Sequence, residues 1–167
     1  MPLSVRQIRE IASSALMSTF HEAAYHVADH RRCKSPWFVA PLRSLADHDA
    51  SGGHVLSRHV GLVPDQLRSR LSSEPSRNVV STFWTREAAT ASVSFIVAVN
   101  LSVVLTWLAS PTSVRLVLRS LIPCSSSIGY SIFRARPSAP TRCRRAVLVL
   151  RHISSTDFFI RTAYPEV

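Results

Sequence analysis

Apolar residues recur every three or four positions from Ser4 to about His30: Ile8, Ile11, Ala15, Leu16, Phe20, Ala23, Ala24 and Val27. This spacing predicts an amphipathic helix. Pro36 and Pro41 then interrupt it, so residues 1–41 read as a helical extension and linker and 42–167 as the main domain. Residues 42–71 read as helical with interruptions. Gly52-Gly53 predicts a turn before a short helix from His54 to Val60, which Gly61 can close in the left-handed conformation. Pro64 and Asp65 suit the first turn of the next helix, with Leu67 and Leu71 facing inward. Arg86 to Ala109 forms a third helical block. Beyond Pro111 the period changes to two. Strands are predicted at Val114–Leu121, Ile128–Phe133, Ala146–Arg151 and Asp157–Tyr164. Arg134 to Arg145, with Pro137 and Pro140, reads as a turn-rich connection. Helices first and antiparallel strands afterwards give an α+β fold.

Ala88 to Val114 carries no charged residue and is long enough to span a bilayer. Ser92, Ser94, Asn100, Ser102 and Thr106 recur through it, however, and Val93, Val97, Leu101 and Leu108 follow helical spacing. A core helix explains the run, with a membrane anchor over residues 91–109 as the rival reading. Twenty Lys and Arg against ten Asp and Glu give a formal charge of +10, and the one lysine is Lys34. A pI near 11.1 makes a polyanion the first partner to consider. The N-terminus does not read as a secretory signal, because Arg6, Arg9 and Glu10 break any apolar run.

Cys33, Cys124 and Cys143 are odd in number and none is in CxxC spacing, so no disulfide framework or zinc knuckle is expected. His21, His26 and His30 lie on the first predicted helix and read as a solvated face. The densest reactive cluster runs from Asp47 to Gly61: His48, His54, Arg58 and His59 with Asp47 and Asp49. On a helix, His54 and Arg58 share a face. His59 falls on the face of Val55 and reads as a half-buried helix residue. Either aspartate can orient a histidine or raise its pKa. The spacing fits no familiar zinc pattern, so no metal and no cofactor is expected. P-loop, GxSxG and HExxH motifs are absent. In the last predicted strand, Thr162 and Tyr164 point to one side and Arg161 to the other. Two hydroxyls beside a histidine could bind phosphate.

The run from Leu45 to Gly61 resembles the L-x-x-H-E-x-x-G-G-H-[TV]-[IL]-x-R-H-V-G signature of the bacterial RNase A-like toxin domains. These domains occur at the C-termini of contact-dependent inhibition CdiA proteins and related polymorphic toxins. Further elements match in order: Leu67–Leu71, Ser81-Thr82-Phe83, Asn100 with Trp107-Leu108, Ile128-Gly129-Tyr130, Ala146–Leu150 and Ile160–Pro165. The resemblance covers roughly residues 42–166, about three quarters of the chain. Asp49 departs from the family's glutamate, and Arg134-Ala135 stands where the family often has Arg-Gly.

The resemblance implies a disulfide-free RNase A-like fold, with N-terminal helices followed by a twisted antiparallel sheet. It also implies a metal-independent endoribonuclease, in which the ribose 2′-OH attacks the adjacent phosphate. Through it, His48 is expected as general base or acid, Arg58 on the phosphate, and Thr162 and Tyr164 on phosphate or base. His54 is the alternative second histidine, and Tyr164 can assist proton transfer. Arg115, Arg119 and Arg134 are expected to steer RNA. An acidic immunity protein is the expected partner, and delivery into a target-cell cytoplasm the expected route. The rival function is non-catalytic: an inactive RNA-binding remnant, or the anchored membrane protein above.

Overall fold

The computed structural model describes residues 44–109, 113–123, 127–154 and 157–167. The predicted N-terminal helix with its three histidines, and Cys33 and Cys124, lie outside these residues.

Three short helices open the described chain: α1 (Leu45–Ala50), α2 (Val55–His59) and α3 (Pro64–Ser73). Each start has a local cause. Ser44 and Asp47 form a reciprocal capping box at α1, with Asp47 N–H donating to Ser44 Oγ at 3.2 Å and Ser44 N–H to Asp47 Oδ2 at 3.0 Å. Gly61, at φ +67°, turns the chain after α2. Pro64 stands in the first turn of α3, and Val63 N–H donates to Gln66 Oε1 at 2.9 Å. Leu67 and Leu71 are buried, as their spacing predicts.

Strand β1 (Val79–Phe83) follows, then α4 (Arg86–Val99) and α5 (Leu101–Ala109). The predicted single block 86–109 is thus two helices, bent by 72°. Asn100 makes the break. Its side-chain amide donates to Ile96 O at 2.8 Å, closing α4, while its carbonyl accepts from Val104 N–H at 3.0 Å and opens α5. Among the described residues, no single helix is long and apolar enough to cross a membrane. Ala89, Val93, Ile96, Val104, Trp107 and Leu108 are instead buried in the main core.

The strands β2 (Arg115–Leu121), β3 (Gly129–Phe133), β4 (Arg136–Cys143), β5 (Arg145–Ser154) and β6 (Asp157–Glu166) complete the order. The described strands form two antiparallel three-stranded sheets, β1-β3-β4 and β2-β5-β6. β4 corrects the turn-rich reading of 134–145. It lies at a sheet edge, where Pro137 and Pro140 need give no ladder hydrogen bonds on the open side. The main core joins α1, α2, α4 and α5 to the β2-β5-β6 sheet through Leu45, Val55, Ile96, Val104, Leu118, Leu148 and Ile160. A smaller core packs α3 on β1 and β3. Cys143, the only cysteine among the described residues, is buried and free. The fold is α+β, helices followed by two antiparallel three-stranded sheets, with no disulfide among the described residues.

Candidate active site

The site forms where the α1–α2 segment meets β6. Two backbone contacts fix this junction. Ile160 N–H donates to His48 Nδ1 at 3.3 Å, and His54 N–H donates to Arg161 O at 3.2 Å. Gly53 makes the approach possible: a Cβ there would lie 2.4 Å from Ile160 O and 2.7 Å from His48 O. Between Thr162 and Ile160 the pairing with β5 shifts by one residue, Val149 facing Thr162 and Leu150 facing Ile160. Arg161 sits in this bulge, which turns its carbonyl to His54 and its guanidinium to Gly52 O.

The structure brings three histidines to this junction. His48 is 4% exposed. Because its Nδ1 accepts a backbone N–H, the proton of the neutral ring sits on Nε2. His59 is 7% exposed and its Nδ1 lies 3.1 Å from Ser81 O. A carbonyl can only accept, so Nδ1 carries the proton and Nε2 is the acceptor. Burial pushes the His59 pKa down to about 3. The Ser81 carbonyl opposes this shift, and Arg70, His54 and Arg58 add to it. The His59 ring lies 5.5 Å from Tyr164 and 6.2 Å from His54. His54 precedes α2 and is partly exposed. Burial lowers its pKa, with Arg161 and Arg58 acting in the same sense and Asp49 against it. His54 is therefore neutral at pH 7. Spacing alone makes His59 a half-buried helix position, whereas the structure buries it. Its ring contact with Tyr164 depends on β6, a hundred residues away, and has no local signal.

Asp49 does not bond to a histidine ring. Its carboxylate accepts the N–H groups of Val55 (2.7 Å), Leu56 (3.0 Å) and Ser57 (3.3 Å), the open donors of α2. It thus caps a five-residue helix that is too short to stand alone. Thr162 Oγ1 is buried without a hydrogen-bond partner. An orphaned hydroxyl is costly and calls for an explanation at a functional site. Thr162 and Tyr164 share one side of β6, as expected.

The arginines divide. Arg58 Nη2 donates to Glu74 Oε1 at 2.8 Å. Arg134 works as a helix cap: its guanidinium donates to Leu71 O, to Glu74 O at 3.0 Å and to Arg77 O at 2.9 Å. Arg115 and Arg119 lie on β2, separated from β6 by β5, and Arg119 Nε is 3.7 Å from Glu166. None of these three joins the histidine junction. Among the described residues, no group of three or more His, Cys, Asp or Glu is arranged to hold a metal ion.

No curated protein matches the chain. A solved structure does match: a crystal structure of a CdiA-CT/CdiI complex from Y. kristensenii 33638, with a TM-score of 0.61 at 24% identity. The match covers 69% of this chain and 100% of that one. It shows the fold. The model of the bacterial CdiA-CT RNase A domain matches residues 53–165, more than half of the chain and all of the junction except α1 and its loop. The chain therefore belongs to the bacterial CdiA-CT RNase A domain family, a family of ribonuclease toxin domains.

Proposed function

We propose that this chain is a metal-independent endoribonuclease toxin that cleaves RNA by attack of the ribose 2′-OH on the adjacent phosphorus. One observation carries the reading: the docking of the His48–His59 segment on β6, which gathers three histidines and Tyr164 beside an unpartnered Thr162 hydroxyl. His54 is neutral at pH 7 and takes the 2′ proton. His48 holds its proton on Nε2 and donates a hydrogen bond to the charge that builds on the phosphate. Thr162 Oγ1 donates to a phosphate oxygen, which supplies the partner it lacks. Arg58 neutralises the phosphate from the α2 side. The Tyr164 hydroxyl gives its proton to the departing 5′ oxygen. The products are a 2′,3′-cyclic phosphate and a 5′-hydroxyl.

The basic chain favours RNA as substrate and an acidic immunity protein as partner. The solved relative, itself in complex with CdiI, supports a partner of that kind. Residues 42–167 form the toxin domain, 1–41 an extension, and the domain acts in a target-cell cytoplasm. RNA cleavage in EDTA tests the reading. Cyclic-phosphate ends from wild type, and a loss of about a hundredfold or more in His48→Ala, are expected. Intact RNA with folded wild type would overturn it.

A further inference from the structure

Glu74, the residue that closes α3, is a carboxylate at the wrong end of a helix dipole, where cations are favoured. It is surrounded by arginines. Oε1 accepts from Arg58 Nη2 at 2.8 Å and Arg70 Nε at 3.1 Å, and Oε2 accepts from Arg77 Nε. Arg70 is the more buried of these arginines, with its side chain 12% exposed against 44% for Arg58. Arg70 Nη1 also donates to Arg58 O at 2.9 Å. Arg58 is thus gripped at both ends, its guanidinium by Glu74 and its carbonyl by the arginine that Glu74 anchors.

The Glu74 carboxylate is not needed to end the helix. Glu74 N–H already donates to Arg70 O at 2.9 Å, Arg77 N–H to Glu74 O at 3.0 Å, and Arg134 caps Leu71, Glu74 and Arg77. Exposed ion pairs also add little stability. What the carboxylate does is limit a long, four-torsion side chain to one direction.

We infer that Glu74 is a positioning residue, holding the Arg58 guanidinium in the geometry in which it meets the scissile phosphate. This rests on the reading of Arg58 as the phosphate-binding arginine. Arg58 has further N–H donors beyond the one given to Glu74, so it can hold the carboxylate and a phosphate oxygen together.

Two measurements test it. The first is cleavage of a fluorogenic single-stranded RNA oligonucleotide in EDTA. Glu74→Gln is expected to lower kcat about tenfold with little change in KM. Glu74→Asp should recover part of the loss, and Arg77→Ala, which breaks only the Oε2 pair, should keep wild-type activity. The Arg58→Ala/Glu74→Gln double variant should be no slower than Arg58→Ala. Wild-type kcat in Glu74→Gln, or a loss that adds fully to that of Arg58→Ala, overturns the inference. Full activity in Arg58→Ala instead removes the phosphate reading of Arg58, and the inference with it. The second needs no turnover: the guanidinium NMR signals of Arg58. Resolved, slowly exchanging Nη signals in wild type that average in Glu74→Gln are expected. Equal order in both proteins overturns the inference.

Discussion

At one end of the site, His48 and His59 are fixed by main-chain atoms in a buried setting, the first by Ile160 N–H and the second by Ser81 O. At the other end, Arg58 is 44% exposed and its guanidinium is held by a side chain, Glu74. The contrast follows the chemistry. A hydrogen bond to the charge that builds on the phosphate needs a set tautomer and a fixed donor, and the Ile160 N–H that His48 Nδ1 accepts supplies both. Phosphate binding needs charge and some adjustment as the substrate settles, and an exposed guanidinium supplies both. The buried end should therefore fail sharply when disturbed, and the exposed end by degrees.

Gly53→Ala gives the sharpest break. Its Cβ would meet Ile160 O and His48 O from both sides, with no flexible side chain to yield. Denaturant unfolding is expected to show a loss of about 3 kcal/mol or more, with the α1–β6 junction opened. Protonation of the buried end comes next. Folded His59 resists the proton until about pH 3, whereas the unfolded chain takes it near pH 6.5. The folded state thus binds fewer protons, so the contribution is complete above pH 6.5 and falls away toward pH 3. Stability should drop by roughly 2 kcal/mol from this group between pH 7 and pH 5. His59→Gln should lack that slope in paired urea titrations. Asp49→Ala, which uncaps α2, is expected to cost about 1–2 kcal/mol, and Asp49→Asn less. Arg77→Ala, at the exposed end, should cost under about 0.5 kcal/mol in thermal unfolding.

The same contrast separates what was legible in the sequence from what was not. Periodicity placed α3 with Leu67 and Leu71 inward, the alternating strands, and the turn at Gly61, because each depends on neighbours a few residues away. Asn100 sits inside a continuous apolar helical period, and nothing in that period marks that its side-chain amide closes one helix while its main-chain carbonyl opens the next. β4 was hidden by Pro137 and Pro140, which exclude a central strand but not an edge one. Within the site, the resemblance singled out His48, Arg58, Thr162 and Tyr164, and the structure carries the segments of His48 and Tyr164 to one junction. Asp49 reads as able to orient a histidine or raise its pKa: its charge does oppose the lowering of the His54 pKa, while its hydrogen bonds go to the N–H groups of α2. The contacts of His59 with Tyr164 and Ser81, and that of Glu74 with Arg58, had no local signature, since those partners lie on β6, on β1 and across the α2–α3 turn.

The most direct test of the central claim is cleavage of RNA in EDTA by wild type and His48→Ala, with analysis of the product ends. The account predicts 2′,3′-cyclic phosphate ends from wild type and their loss in the variant at unchanged fold. Cleavage by His48→Ala at the wild-type rate, or intact RNA with well-folded wild type, would contradict it.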